Sequence, residues 1–185
     1  RGSDTIFQKL FVGGTHLTLD WPTPEKLAST TVRTLLATDF DRPAWGNGTI
    51  GDGDPYTQMR ARTRTYLSRG MVVIESSPGA PIEDESWRPQ SPHDCPPVRY
   101  GVLSLYPGGT RGRWYVPCPD CGAMFEMTFA RLVYPDSSDP VEAGEAARMR
   151  CPHCGETFGH DLKRELNAAG CWYHESTPDE DGRIH

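Results

Sequence analysis

The sequence predicts an α/β fold: a domain with a parallel β-sheet, followed by a small β module that carries paired cysteines. In the first part of the chain, two short apolar runs, 32–37 and 71–74, lie on either side of a helical segment. This order of strand, helix and strand is typical of a parallel sheet. In the second part, the pattern Cys-Pro-x-Cys-Gly occurs twice, at 118–122 and at 151–155.

The composition indicates a modest core and many turns. The chain has 185 residues, of which 36% are hydrophobic, with 19 Gly and 17 Pro, and this allows one ordinary domain with a small appendage. No run of about 18 apolar residues occurs, so no segment is predicted to span a membrane. The N-terminus has no apolar signal region behind a basic start. We therefore expect a soluble, intracellular protein.

The charge is unevenly distributed along the chain. The net charge of −6 does not indicate nucleic-acid binding. Residues 55–74 nevertheless contain Arg60, Arg62, Arg64 and Arg69 and no acid. Such a local basic patch can contact phosphates, and a solvated surface explains it equally well.

The first elements follow from turn and capping residues. Residues 9–19 predict two paired strands, with Gly13-Gly14 as the turn. Thr23-Pro24-Glu25 predicts the start of a helix, because it offers a capping hydroxyl, a proline in the first turn and then an acid. The helix should be short, since the β-branched residues at 30–32 favour extended chain.

The next elements form the predicted parallel sheet. The apolar runs 32–37 and 71–74 are interpreted as buried strands because both are rich in β-branched or aliphatic residues. Between them, Asp54-Pro55 predicts the start of a second helix, which should run to Leu67 and stop at Gly70.

Polar residues follow both strands of this sheet. Asp39 and Asp41 come after the first strand, and Glu75, Ser76 and Ser77 come after the second; ligands usually bind at the carboxyl ends of parallel strands. A hydrophobic strand that delivers a carboxylate has the form of a Walker B element, in which one acid holds nucleotide-bound magnesium and another polarises water. Strands ending in Asp are common, and the phosphate-binding pattern Gly-x-x-x-x-Gly-Lys-Ser/Thr occurs nowhere in the sequence.

The two cysteine pairs predict one structural zinc ion. Cys118, Cys121, Cys151 and Cys154 have the spacing of a zinc ribbon, in which each Cys-x-x-Cys-Gly turn directs backbone amides at the sulfurs. Four protein ligands leave no open position for water or substrate, so the ion should stabilise the fold rather than catalyse a reaction. The segment between the pairs is long, and a loop at 135–144 should project.

Other roles for these cysteines are open. Cys-Pro-His-Cys is also a redox-active spacing, and iron can replace zinc among four thiolates. Cys95 and Cys171 are expected to be plain thiols. Three of the six histidines are expected at the surface rather than as ligands, namely His93, His153 and His160.

Several segments, in order, resemble the large terminase subunit of tailed phages, in the lambda-type family that packages DNA. The resemblance rests on the following segments: Val12-Gly13-Gly14, Leu27-Ala28-Ser29, Leu36-Ala37-Thr38-Asp39-Phe40-Asp41-Arg42-Pro43, Gly51-Asp52-Gly53-Asp54-Pro55, Ala61-Arg62-Thr63-Arg64-Thr65, Val72-Val73-Ile74-Glu75-Ser76-Ser77-Pro78-Gly79, Gly101-Val102-Leu103-Ser104-Leu105-Tyr106, Arg113-Trp114-Tyr115-Val116-Pro117-Cys118-Pro119 and the second cysteine pair. Together they span most of residues 10–172.

The resemblance implies an ATPase motor with a P-loop-type fold, a zinc-binding insertion and a C-terminal nuclease. It implies ATP and Mg²⁺ as cofactors beside structural Zn²⁺. By position, Asp39 and Asp41 would be the Walker B acids, and Ser76 and Ser77 would lie in the motif that couples hydrolysis to DNA movement. Many relatives carry adjacent Asp-Glu at this strand end, so it stays open which acid meets Mg²⁺. The implied partners are double-stranded DNA, a small terminase subunit, the portal of the procapsid and further copies of the subunit, in the cytoplasm of the phage or prophage host.

The resemblance also divides the chain. We expect the C-terminal part of an ATPase domain at 1–79, a connector at 80–112, the zinc ribbon at 113–174 and a linker toward a nuclease at 175–185. Without a Walker A segment or a nuclease, the chain is expected to be an internal fragment that does not hydrolyse ATP alone. The alternative is a zinc-ribbon module that binds nucleic acid or protein without catalysis.

Overall fold

The structure is a computed structural model that describes residues 4–49, 51 and 53–175. The predicted linker at 175–185 lies, apart from Glu175, outside the described residues, as does Asp52 of the resemblance. By its internal contacts the chain divides into two compact units, a first unit of Arg1–Arg88 with Cys95–Leu105 and a second unit of Pro89–Asp94 with Tyr106–His185. Both contain helices and small sheets, which confirms the mixed α/β class. No helix among the described residues is long and apolar enough to cross a membrane.

The first unit begins with the predicted hairpin. β1 (Gln8–Leu10) and β2 (His16–Thr18) pair in antiparallel orientation. The turn is closed by the amide of Gly14, which donates to the carbonyl of Phe11 at 2.9 Å, and Gly14 has a φ of +79°. All six strand residues are exposed.

α1 (Pro24–Ser29) starts and ends where the sequence predicted. The hydroxyl of Thr23 accepts a hydrogen bond from the amide of Lys26 at 3.4 Å, and the helix ends before Thr30, which is extended. Leu27 is its buried residue.

Two strands form the parallel sheet of the first unit. β3 (Thr34–Ala37) and β4 (Met71–Ile74) pair in parallel, as predicted. The prediction that both strands are buried is wrong for one of the two faces. Ala37 is 2% exposed, whereas Leu36 and Val73 are 62% and 41% exposed. Alternate residues of a strand point to opposite faces, and only one face packs on the core within the part of the chain that the structure describes.

α2 (Pro55–Thr63) connects the two strands and supplies the centre of the core. A carboxylate oxygen of Asp54 accepts a hydrogen bond from the amide of Thr57 at 2.7 Å, so Asp54 caps the helix as its position suggested. Met59 is fully buried. The remaining buried residues of this cluster are Leu27, Ala37, Phe40 and Trp45.

The prediction that this helix continues to Leu67 is wrong. After Thr63 the chain forms a 3₁₀ helix, Arg64–Arg69, in which Leu67 has a φ of 49°. Threonine and tyrosine are poor helix formers, and a tightening of the last turn is common at helix ends. The predicted stop at Gly70 is confirmed.

The segment expected to be a connector contributes one further helix to the first unit. α3 (Val102–Leu105) follows Gly101, and Leu105 packs against the core around Met59. A 3₁₀ turn, Tyr106–Gly108, comes next in the chain and belongs to the second unit.

The described residues of the second unit form two antiparallel sheets of three strands and two short α-helices. The first sheet has the order β10–β5–β6 and the second has the order β7–β8–β9. The strands are β5 (Arg113–Pro117), β6 (Met124–Phe125), β7 (Leu132–Val133), β8 (Arg148–Arg150), β9 (Thr157–Phe158) and β10 (Cys171–Tyr173). The helices are α4 (Pro140–Glu145), within the long segment between the cysteine pairs, and α5 (Lys163–Ala168).

Candidate metal centre and acidic strand end

The first cysteine pair lies in a tight turn between β5 and β6. The amide of Cys118 donates to the carbonyl of Ala123, and the amide of Gly122 donates to the carbonyl of Cys118, both at 2.9 Å. Gly122 has a φ of +72°, in the left-handed region that glycine adopts without steric cost. This turn is therefore closed by hydrogen bonds between residues that are close together in the sequence.

The second pair repeats this turn between β8 and β9. The amide of Cys151 donates to the carbonyl of Glu156 at 2.9 Å, and the amide of Gly155 donates to the carbonyl of Cys151 at 3.1 Å. Gly155 has a φ of +82°. The repeated Cys-Pro-x-Cys-Gly sequence thus produces the same backbone twice.

The two turns bring four sulfur atoms together. The Sγ atoms of Cys118, Cys121, Cys151 and Cys154 all lie within 4.8 Å of one another. Cys118 and Cys154 are separated by 3.7 Å, and Cys121 and Cys151 by 3.8 Å; all four are free thiols. Zn–S bonds of about 2.3 Å in a tetrahedron place the sulfurs about 3.8 Å apart. The cluster therefore has the donors and the size of a site that could hold a metal ion.

The thiol pKa values of the cluster diverge. Desolvation opposes the ionisation of Cys151, but backbone amides of its turn and neighbouring thiols lower its pKa to about 6. A backbone amide favours the thiolate of Cys154, but desolvation and hydrogen bonds with the other sulfurs raise its pKa to about 12. The pKa of Cys121 is also raised, because an amide from Ala123 is outweighed by desolvation and by neighbouring thiols. Four thiolates this close repel one another, so a cation is needed to hold them all ionised.

The cysteine cluster is part of the core of the second unit. Cys118 and Cys151 are 3% and 1% exposed, whereas Cys121 and Cys154 are exposed. Four apolar side chains complete this core: Val116, Phe125, Phe158 and Leu166. The rings of Phe125 and Phe158, which follow the two turns, meet edge to face with centroids 6.1 Å apart.

Two of the histidines that were expected at the surface, His93 and His153, have different surroundings. The amide of His153 donates to Sγ of Cys151 at 3.4 Å. The expectation that His93 lies at the surface is wrong: it is 9% exposed, and its Nδ1 lies 2.8 Å from the carbonyl oxygen of Arg111. A polar turn that holds Arg111 explains this burial, since the Arg111 guanidinium also pairs with Asp94 at 2.8 Å.

The acidic strand end of the first unit presents Asp39 to solvent. Asp39 follows β3 with a φ of 52°, a left-handed conformation that Asp tolerates better than most residues. Its side chain is 67% exposed, and one carboxylate oxygen lies 3.8 Å from Nε of Arg42. An exposed ion pair at this distance contributes little, so the carboxylate is available to a ligand.

Asp41 is held by backbone amides instead. Its Oδ1 accepts a hydrogen bond from the amide of Gly79 at 3.0 Å, and its Oδ2 accepts one from the amide of Val102 at 2.9 Å. Burial opposes ionisation of this carboxyl, but the amides of Gly79 and Val102 outweigh it and keep its pKa below the usual value. The sequence left open which of the two acids would meet Mg²⁺, and the structure gives Asp39 and Asp41 different surroundings.

The two serines after β4 also differ. The hydroxyl of Ser76 accepts a hydrogen bond from the amide of Asp41 at 2.9 Å and donates to the carbonyl of Ser77 at 3.2 Å. Ser77 is exposed. The amide of Glu75 donates to the carbonyl of Ala37 at 2.9 Å. The two strand ends are thus joined, and the structure brings the predicted acids and serines to one edge of the sheet.

The basic patch on α2 and the 3₁₀ helix after it contains arginines with different environments. Arg62 donates from its guanidinium to the carbonyl of Ala28, which connects α2 to α1. Arg60 and Arg64 line a groove of about 560 Å³ beside Tyr56 and Thr57. The lining of this groove has no acid, and neither arginine is within 4 Å of a carboxylate among the described residues.

The sequence did not indicate the hydrogen bond between the amide of Val102 and the carboxylate of Asp41. It joins residues 61 positions apart and lies in a segment interpreted as a connector. The apolar run Val102-Leu103-Ser104-Leu105, in a region otherwise rich in proline, is the local feature that could have indicated a packed helix there.

Comparison with known proteins identifies a family. Residues 1–172 match the family described as phage terminase large subunit gpA, ATPase domain. No match was found among curated proteins or among solved structures. The family match covers most of the 185 residues and confirms the resemblance drawn from the sequence.

Proposed function

This chain belongs to the family of phage terminase large subunit gpA ATPase domains, and we propose that it works in a motor that packages phage DNA. In the complete motor, ATP hydrolysis drives DNA translocation, and the parallel strands of the first unit belong to a P-loop-type sheet. The proposed site of action is the host cytoplasm. The proposed partners are double-stranded DNA, the small terminase subunit, the portal of the procapsid and further copies of the large subunit.

The exposed carboxylate of Asp39 at the carboxyl end of β3 is the observation that carries this proposal. A parallel strand directs such a residue toward the edge where α/β folds bind nucleotides. Carboxylate oxygens suit Mg²⁺, which usually keeps several waters and binds through one or two acids and the nucleotide phosphates. The strained φ of Asp39 fits a functional position, where such strain is concentrated. Asp41, two residues further on, is proposed to belong to the same site, where its carboxylate accepts hydrogen bonds from two backbone amides.

Ser76 and Ser77 are proposed to connect the nucleotide to DNA movement. The hydroxyl of Ser76 contacts the main chain of Asp41, so a displacement at the end of β3 reaches the segment after β4 directly. Ser77 is exposed beside it and offers a hydroxyl to a phosphate or to water. This pair therefore lies where a change at the nucleotide could be transmitted.

The metal of the second unit is proposed to be structural zinc. Cys118, Cys121, Cys151 and Cys154 supply four thiolates at tetrahedral spacing, and four soft ligands favour zinc over harder cations. When bound, the ion neutralises the thiolates and crosslinks the two turns. Redox chemistry of the cysteines is disfavoured by the same geometry, because both pairs contribute to a single cluster.

ATP turnover by the terminase large subunit that contains this chain tests the catalytic part. We expect Asp39→Ala to lower kcat by about a hundredfold or more, since it removes the acid that holds the metal–nucleotide complex. Asp136→Ala, at an exposed position of the second unit, is the control and should keep normal turnover. Normal turnover of Asp39→Ala would refute the assignment of this strand end.

A second candidate function, nucleic-acid binding without catalysis, is favoured by the groove on α2. Arg60 and Arg64 line the groove together with Tyr56 and Thr57, without an acid in the lining, and the guanidinium of Arg60 lies over the Tyr56 ring at 5.7 Å. Such a surface suits phosphodiester oxygens. In the packaging motor the same groove would contact the DNA backbone.

A salt titration of duplex binding by this chain tests the groove. If Arg60 and Arg64 each neutralise one phosphate, replacing both with Gln should reduce the slope of log K against log salt by about 1.8. Arg69→Gln removes a charge of the same segment outside the groove lining and serves as the control. Equal slopes for the double variant and the unaltered chain would exclude the groove as a DNA contact.

A further inference from the structure

We infer that Asp41 is a positioning residue that fastens the loop after β4 and the start of α3 to the end of β3, and that Asp39 alone presents a carboxylate to the nucleotide. The fastening role rests on geometry within the first unit. The statement about the nucleotide rests on the proposed function.

Both carboxylate oxygens of Asp41 are used by distant parts of the chain. The amide of Gly79, in the loop after β4, donates to one oxygen at 3.0 Å, and the amide of Val102, at the start of α3, donates to the other at 2.9 Å. Hydrogen bonds to an ionised acceptor are about twice as strong as neutral ones. One side chain thus joins three segments that are far apart in sequence.

The main chain of Asp41 adds a third connection. Its amide donates to the hydroxyl of Ser76 at 2.9 Å, and that hydroxyl donates to the carbonyl of Ser77 at 3.2 Å. Asp41 therefore contacts the loop after β4 through both its backbone and its side chain. These contacts fix where the loop leaves the sheet.

The neighbouring glycine shows that the fold leaves space for this carboxylate. Gly101 has a φ of +80°, and a Cβ built on it would overlap the carboxylate of Asp41. Any other residue at this position would be strained and would also displace the Asp41 side chain. The approach of the Gly101 backbone is thus a condition for the bond to Val102.

Asp39 contrasts with Asp41 in each respect. Its side chain is 67% exposed, and its ion pair with Arg42 is 3.8 Å long and exposed. A cation can approach it without breaking a backbone hydrogen bond. At Asp41 a cation would compete with two amides and would release the loop and α3. The geometry separates one acid that faces solvent from one that organises the site.

Amide hydrogen exchange of this chain, followed by NMR, tests the fastening role without any activity measurement. We expect Asp41→Asn to raise the exchange rates of the Gly79 and Val102 amides by about tenfold, because the amide side chain keeps only one acceptor oxygen and lacks the charge that strengthens the remaining bond. Asp39→Asn should leave both rates unchanged. Unchanged rates in Asp41→Asn would overturn the inference.

Two glycine variants provide an independent comparison. Gly101→Ala should raise exchange at Val102, whereas Gly108→Ala, where an added Cβ meets no atom within 4 Å, should not. If Asp41→Asn does not fold, Ser76→Ala replaces it: exchange at the amide of Asp41 should then rise while the amide of Val102 stays protected. Equal protection of the Asp41 and Val102 amides in that variant would contradict the separate hydrogen bonds that the backbone and the side chain of Asp41 make.

The statement that Asp39 alone presents a carboxylate to the nucleotide is tested by the Mg²⁺ dependence of ATP turnover in the terminase large subunit that contains this chain. We expect Asp39→Asn to raise the Mg²⁺ concentration for half-maximal rate about tenfold or more, whereas Asp41→Asn should lower kcat with an unchanged Mg²⁺ requirement. The change in Mg²⁺ requirement, rather than the loss of kcat, distinguishes the acid that contacts the metal–nucleotide complex from the acid that does not. An equal increase in both variants would overturn the division of roles. Unaffected turnover in both would overturn the proposed function and leave the exchange result standing.

Discussion

Removal of the metal should unfold the second unit and leave the first unit folded. The perturbation is a chelator added to the metal-loaded chain under reducing conditions, which extracts the ion from Cys118, Cys121, Cys151 and Cys154 without changing a residue. The structure gives the reason for the expected selectivity. Two of these ligands, Cys118 and Cys151, are themselves among the buried residues of the second unit, whereas the core around Met59 contains no cysteine.

The magnitude can be worked from that core. Its four buried apolar side chains, Val116, Phe125, Phe158 and Leu166, contribute about 1.5–3 kcal/mol each, or roughly 6–12 kcal/mol together. A structural zinc ion in a small domain contributes about 10–16 kcal/mol at neutral pH. A bound zinc ion would thus stabilise the unit by as much as this core or more, and its loss is comparable with the whole net stability of about 5–15 kcal/mol that a folded domain has.

Heteronuclear NMR of the chain, before and after chelation, provides the assay. We expect the amide signals of β5 to β10 to collapse into the range of unfolded chain, and those of α2 and β4 to stay dispersed. Return of the original spectrum after zinc is added back shows that the loss is reversible. A dispersed spectrum for the second unit after complete metal removal, with all thiols reduced, would refute the reasoning.

Three further predictions concern the first unit. Met59→Ala should destabilise it by about 2–5 kcal/mol in urea unfolding, because Met59 is fully buried. Met71→Ala is the control: Met71 lies in the same unit but is 52% exposed, so its replacement should cost far less. Asp54→Ala should cost about 1 kcal/mol by removing the cap on the amide of Thr57, and a shift of less than a few tenths in the same assay would contradict the cap. The pKa of Asp41 is lowered by folding, so its ionised form stabilises the fold above the unfolded pKa of about 3.9, and this contribution is lost as pH falls through the lower folded pKa. The urea midpoints of the unaltered chain and of Asp41→Asn, followed by signals of the first unit, should therefore differ at pH 6, and the difference should shrink progressively as pH falls below about 4; a constant difference would argue against the shift.

Local patterns predicted the parts of this fold that depend on neighbouring residues. The turn at Gly14, the cap at Thr23 and the cysteine turns each need only a few consecutive residues, so their sequences are sufficient to indicate them. The parallel pairing of β3 and β4 also followed, because a helix between two apolar runs leaves few other topologies.

The features that the sequence did not predict correctly depend on residues that are distant along the chain. Whether a strand face is covered is decided by what packs on it, and the apolar runs alone did not distinguish the covered face of Ala37 from the exposed face of Leu36. The burial of His93 depends on the turn around Arg111, and the partners of Asp41 lie 38 and 61 positions away. The sequence located both acids at the strand end, but only the contacts separate their roles.

The repeated cysteine turn has a consequence for how the metal centre assembles. Each turn is closed by hydrogen bonds between residues at most five positions apart, Cys118 with Gly122 and Ala123, and Cys151 with Gly155 and Glu156. Either turn can therefore form early, while the rest of the chain is still unfolded, and present two thiols to an incoming ion. The slow event is then the encounter of the loaded turn with the empty turn across the intervening segment. Loading should accordingly proceed in two kinetic phases, a rapid capture by one pair and a slower closure by the other.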